Sequence, residues 1–343
     1  MIWLTWRQFR GGAVMMAAAL AVLAAILSLT GPGLADDYST GIAACTSQSG
    51  GCSDFVERFF DDNLIPLLAV TAVVLVLPAL IGVFWGAPLI ARELEAGTHR
   101  LVWNQSITRT RWLAVKLGLT GLAAMIAAGL GSLAVTWWSS PIDKAATELP
   151  RMAPLMFASR GIVPIGYAAF AFALGVTVGM LVRRTVPAMA ITLAIFVAAQ
   201  IAMPLLVRPH LLPPTRSTIE LTESNIDGFH WDESGEVLQV WSDAGPADAW
   251  VLSSHSVDPS GHAVDTISMS SSSGPCAPPA GTPDEGTVTA CLDEIQRLGY
   301  RQEATYHPSS RFWPFQWYET GIYTALALGL AGFCFWRIRR RLS

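Results

Sequence analysis

The residues able to do chemistry are few, and their spacing excludes most of it. No GxxxxGK[ST], HExxH or GxSxG occurs, so the chain carries neither a phosphate-cradling loop nor a zinc-peptidase or nucleophile-elbow signature. Five of the six histidines fall in one late segment and are scattered there. Cys45 and Cys52 form one local pair and Cys276 and Cys291 another, neither with CxxC spacing or a nearby histidine. They read as two disulfides, Cys45–Cys52 and Cys276–Cys291, rather than metal ligands. Two acids, Glu93 and Glu95, stand alone in a basic segment.

These groups are positioned by an apolar framework. The chain has 343 residues, 52% hydrophobic and only 14% charged, where soluble domains average about 25% charged. Residues 11–35, 63–91, 117–142, 161–182, 185–207 and 320–336 contain no Asp, Glu, Lys, Arg or His. A membrane-crossing helix needs roughly 20 apolar residues, so six spans are predicted and the fold class is an all-α polytopic membrane protein. Phe312, Trp313, Phe315, Trp317, Tyr318 and Trp336 flank the last window as an interfacial aromatic belt. Gly33-Leu34-Ala35 before Asp36 also allows a cleaved signal peptide, but the apolar run from Ala13 to Thr30 favours a retained span.

Charge orients the spans. The N-terminus, residues 92–116, Arg183-Arg184 and the tail 337–343 together hold thirteen of the 22 basic residues and two of the 26 acids. Basic short loops stay in the cytoplasm, which places both termini there and agrees with an even number of spans. Both cysteine pairs then lie on the oxidising side. The basic face suits anionic lipid headgroups, and nothing in the pattern suggests nucleic acid.

Within this frame, residues 1–10 are expected to form an interfacial helix with Ile2, Trp6 and Phe9 on one face, the other reading being an ordinary span flank. Transmembrane helices 1–5 occupy 11–207, residues 208–318 form an external α+β insertion, and 319–336 the sixth span. In the insertion, strands are predicted over Val237–Trp241 and Trp250–Val257, with Val264–Met269 pairing back on the latter. Residues 270–286 read as an irregular connector, and 289–305 as a helix weakened by Gly299. Gly118, Gly121, Gly129 and Gly131 predict close helix contact in the third span. Gln200 is the one notable polar candidate for a pathway. An ion-coupled carrier is disfavoured because the windows lack ionisable groups.

The loop 87–116 carries most information. A short helix across the membrane face is expected around Arg92–Ala96, stopped at Gly97-Thr98, with a second helix beginning after Ser106-Ile107-Thr108. Local i, i+3 or i+4 pairing of Glu93 or Glu95 with Arg92, His99 or Arg100 is the simplest structural role for the two acids.

The stretch ARELEAGTHRLVWNQSITRTRWLAVKL resembles the first cytoplasmic loop of ABC-2 type permeases, the membrane subunits of ATP-binding-cassette exporters. Glu93, Glu95, Gly97, Thr98, Leu101, Thr108, Arg109 and Lys116 match the pattern, whereas the family's proline before the Ser/Thr-Arg step is replaced by Ser106 or Ile107. The resemblance implies that Arg92, Glu93, Glu95, Gly97, Thr98, Leu101, Thr108 and Arg109 couple to a separate ATPase, that a second permease completes a homo- or heterodimer, and that ATP and Mg2+ are held by the ATPase, this chain needing no cofactor. It implies export across the plasma membrane. Two lysines against twenty arginines point to a bacterium of high-GC genome. The competing class is a membrane-anchored sensor or scaffold with an external ligand-binding domain.

Overall fold

The computed structural model describes residues 2–47, 51–97, 108–146, 149–220, 228–232, 235–241, 248–277 and 285–340. It divides into two compact units, residues 1–211 with 312–343, and residues 212–311.

The first unit is helical. Its elements are α1 (Ile2–Thr46), α2 (Ser53–Leu80), a π-helical turn (Ile81–Gly86), α3 (Ala87–Glu95), α4 (Arg109–Trp138), α5 (Ser140–Ala145), α6 (Pro154–Ser159), α7 (Val163–Val182), α8 (Thr185–Ala202), a π-helical turn (Met203–Val207) running into a 3-10 turn (Arg208–His210), and α10 (Phe312–Arg340). Among the described residues six helices are long and apolar enough to cross a membrane, and each covers all or most of one of the six charge-free windows. The chain is a multi-pass membrane protein.

Two expected boundaries have no structural counterpart. The helix from Ile2 continues to Thr46 without a break at residue 10. The short helix expected across the membrane face is instead the last turns of the second span, because helical structure continues from Ser53 to Glu95. The π-helical turn sits directly before Pro88, where the missing amide would interrupt the i to i−4 ladder.

Burial identifies the pillar of the unit. The apolar window of α7 is 78% buried and that of α1 only 6%. A helix apolar on every side is stable only when surrounded, and α7 packs against α10, the first π-helical turn, α3, α4, α8 and α2. The glycines that permit its closest approach are not those of the third span. Gly82 and Gly86 on the π-helical turn lie against Ala171, Phe172 and Gly175 of α7, and Gly179 of α7 lies against Ala87 and Ala91 of α3, small residues that bring the backbones together. A Cβ on Gly86 would lie 2.6 Å from the Phe172 carbonyl oxygen, and one on Gly175 would strike Gly82 O and lie 2.7 Å from Ala87 N. In α4, by contrast, Gly118 faces open space and Gly121, Gly129 and Gly131 meet side chains.

The second unit holds two antiparallel sheets and one helix. The strands are β1 (Thr215–Ile219), β2 (Gly228–Trp231), β3 (Val237–Trp241), β4 (Trp250–Val257), β5 (Ala263–Val264), β6 (Ile267–Ser268) and β7 (Arg301–His307), with α9 (Glu285–Arg297) before β7. One sheet has the order β1-β7-β4-β5 and the other β2-β3-β6. Strands β3 and β4 coincide with the expected ones. Only the first part of the stretch 264–269 pairs with β4, through Ser256↔Val264; Ile267 pairs instead with Leu238 of β3.

The helix expected over 289–305 is corrected to Glu285–Arg297. Gly299 adopts φ +84°, Tyr300 N–H donates to Ile295 O (3.2 Å) and Gly299 N–H to Gln296 O (2.9 Å), which is a Schellman stop. The chain then turns into β7, where Gln302 is buried and donates to Ser254 Oγ at 2.9 Å. At the β4–β5 turn, Asp258 accepts from Ser260 Oγ (2.6 Å) and from the amides of Ser260 and His262 (2.9 Å each). These bonds, that from the Ser260 hydroxyl foremost, hold its carboxyl below the usual range.

Both disulfides are formed, Cys45–Cys52 and Cys276–Cys291. The second is buried beside Leu238, Ile267, Leu292 and Ile295 and ties α9 to the connector 15 residues earlier. A loop of that length contributes about 3 kcal/mol by restricting the unfolded chain. Replacing Cys276 and Cys291 together by serine is expected to lower the thermal midpoint of β-sheet loss, followed by circular dichroism, with the membrane helices retained.

Candidate functional site: the junction of α3, α4 and α8

The two isolated acids have long-range partners. Glu93 forms an ion pair with Lys116 of α4, whose side chain is 5% exposed. The Lys116 ammonium also lies 5.0 Å from the Trp112 ring centroid, one turn earlier on α4. Such a cation–aromatic contact adds to the charge pair where water is scarce.

Glu95, at the end of α3, reaches the start of α8. Its Oε2 accepts from the Thr185 amide at 3.0 Å and the Thr185 hydroxyl at 2.7 Å. The first amides of a helix lack intrahelical acceptors and carry the positive end of its dipole, so the carboxylate caps α8 from a neighbouring segment. The geometry depends on the Arg183-Arg184 connection. Arg183 ends α7 in the left-handed region at φ 58°, and Arg184 is extended, which turns Thr185 back toward α3. Thus one short helix is keyed into α7 by glycine packing and tied to α4 and α8 by two carboxylates.

The other loop residues fall into place around this junction. Arg92 is exposed and enters no ion pair among the described residues. Gly97, φ +69°, ends α3, its amide donating to Leu94 O at 3.3 Å. Thr108 caps α4 by accepting from the Arg111 amide at 3.4 Å, and Arg109 is the first, half-buried residue of that helix. Thr98 and Leu101 lie outside the described residues, as do His99 and Arg100. Gln200 is half-buried on α8 and takes part in none of these networks.

A second polar cluster was not anticipated. Arg208 and Glu319 are both essentially fully buried. Arg208 Nε donates to Glu319 Oε2 at 2.8 Å and Nη2 to Oε1 at 3.0 Å, a bidentate pair. Tyr167 of α7 donates to the same carboxylate, Arg208 Nη1 donates to Pro154 O at 3.4 Å, and its guanidinium lies 4.3 Å from the Phe157 ring. One turn before Glu319, the Gln316 carbonyl accepts from the amides of Ile162 and Val163 at 2.9 and 3.0 Å, capping α7.

The helices therefore extend past their charge-free windows and bury paired charges at the ends. The absence of ionisable groups holds for the windows and not for the helices. The available signal was positional: Arg208 directly follows one window and Glu319 directly precedes another. A third pair, Arg160–Asp143 at 3.3 Å, joins the α6–α7 connection to α5. Among the described residues no group of three His, Cys, Asp or Glu could hold a metal ion.

Six apolar helices joined by buried charge pairs define a multi-pass membrane protein. The particular family follows from comparison: residues 17–208 match the ABC-2 membrane transporter related family, and the chain belongs to it. It is a transporter membrane subunit. No curated protein and no solved structure matches the chain.

Proposed function

We propose that this chain is the permease subunit of an ATP-driven exporter, that it works as a homo- or heterodimer, and that a separate cytoplasmic ATPase pushes on the α3–α4 segment. The observation that carries the reading is the mechanical coupling of α3. It packs backbone to backbone on α7 and is fastened through Glu93 to α4 and through Glu95 to α8, so a displacement of its exposed end is passed to three spans. The charge asymmetry supports a topology with both termini and this junction in the cytoplasm and residues 208–318 outside, the compartment in which disulfides persist. Trp3 and Trp6, exposed on the first turns of α1, then lie at the cytoplasmic interface while Phe9 packs on Trp85.

Glu93 faces inward, which leaves Arg92, Glu95, Ala96 and Gly97 as the accessible end of α3. A photo-crosslinking residue at Ala96, introduced in cells that make the native complex, is expected to capture a protein that azido-ATP labels. The same crosslinker at Ile65, exposed within an apolar window, is expected not to. Equal labelling from both positions, or no nucleotide-binding protein from either, would defeat the docking assignment.

A further inference from the structure

Two adjoining clefts run along the seam between α1 and the second span. The first has a volume of about 680 Å³ and is lined by Phe9, Trp85, Leu89, Arg92, Glu93 and Lys116 among others. The second, about 550 Å³, shares Gly12, Met15, Phe84 and Trp85 with it and continues between Ala19 on one wall and Ala72, Val73 and Val76 on the other. Each volume is within the range of ligand sites, about 300–1,000 Å³. Together they form one groove with a charged mouth and an apolar length.

The level of that mouth in the molecule is fixed by sequence. Arg10 is the last charged residue before the first apolar window and Arg92 the first after the second, so the mouth sits where hydrocarbon gives way to headgroups. From Gly12 to Ala19 the wall rises roughly 10 Å into the apolar layer. The charged residues lining the mouth are Arg92, Glu93 and Lys116; Glu93 is paired with Lys116, whereas Arg92 is exposed and has no ion-pair partner among the described residues. The local charge left for a ligand is positive. Gly12 keeps the groove open beneath Trp85, since a Cβ there would lie 3.1 Å from the indole Nε1.

We propose that this groove is a binding site for one glycerophospholipid with an anionic headgroup, its phosphate at Arg92 and one acyl chain between Ala19 and Ala72. Arg92 also belongs to the end of α3 proposed to meet the ATPase, and lipid retention is therefore measured on the chain alone, so that failure of the lipid site and failure of the docking reading are distinguishable.

Native mass spectrometry of the purified full chain, supplied with equal amounts of phosphatidylglycerol and phosphatidylcholine, tests it. One phosphatidylglycerol is expected to be retained in preference to phosphatidylcholine by about fivefold, the effect of one basic group near an anionic lipid. Arg92→Gln is expected to remove the preference while both lipids are still held. Ala72→Phe is expected to expel both, and Ala19→Phe, on the opposite wall, to do the same. Both alanines are exposed, and unchanged elution and unfolding midpoint will show that the fold is kept. Equal retention of the two lipids by the wild type, or retention unaltered in the wall variants, would overturn the proposal. Displacement of the lipid by an equal concentration of glycerol 3-phosphate would also overturn it, by assigning the site to a soluble anion.

Discussion

Glu319→Ala is expected to destabilise the membrane unit by about 3–5 kcal/mol, the cost of leaving a buried charge without its partner. The carboxylate satisfies two donors of Arg208 and the hydroxyl of Tyr167 at once, with Arg208 and Glu319 both almost inaccessible. Two of the other groups that meet the guanidinium, the Pro154 carbonyl and the Phe157 ring, are uncharged. The pair joins the end of the fifth span to the start of the sixth, so its loss loosens α10 against α7. Thermal unfolding in detergent measures the effect. The double variant Arg208→Met/Glu319→Leu is expected to recover most of the stability, because removing both charges abolishes the desolvation cost as well. A single variant as stable as wild type would show that water reaches the pair.

Gly175→Ala is expected to be the other severe change, although it adds one methyl group. The new Cβ would meet Gly82 O and Ala87 N, backbone atoms on the neighbouring segment that no side-chain rotation can move. Overpacking of a buried site costs about 1–3 kcal/mol and occasionally more, and here α3 must also shift away from α7. Stability and the position of α3 are therefore lost together. Gly118→Ala is the matched control. It also lies in a membrane helix, but its Cβ would enter open space, and better helix propensity is expected to leave stability unchanged or raised by about 0.5–1 kcal/mol. Unfolding midpoints of the two variants side by side decide whether the close approach matters.

The contrast between these glycines shows what sequence made legible. Spans follow from length and apolarity alone, so the six windows reappear as six helices. Which glycine carries a close contact depends on the rotation of each helix about its axis. Gly118 through Gly131 were as plausible as Gly82, Gly86, Gly175 and Gly179 until that rotation was known.

The partners of Glu93 and Glu95 were hidden for a similar reason. Lys116 is 23 residues from Glu93 and Thr185 is 90 from Glu95, and only tertiary packing brings them together. Local i, i+4 reasoning could name the acids as unusual but not their mates. In the second unit, β3 and β4 stood out by alternation and flanking turns. β7 did not, because Leu292, Ile295, Leu298 and Gln302 fall at helical spacing, while the chain leaves the helix at Gly299 in the left-handed region.

The junction also changes how its acids must be tested. Charge reversal at Glu93 or Glu95 would break the Lys116 pair or the α8 cap and confuse folding with docking. Ala96 avoids this, being exposed next to both and tied to neither. The most direct measurement is Mg-ATP hydrolysis in the complex captured from native membranes through a tag on this chain, comparing wild type with Ala96→Trp. The account predicts that hydrolysis co-purifies with the wild type and is largely lost with Ala96→Trp, while Ile65→Trp, altered within a span, retains it. Equal hydrolysis captured by all three chains would contradict coupling through the end of α3.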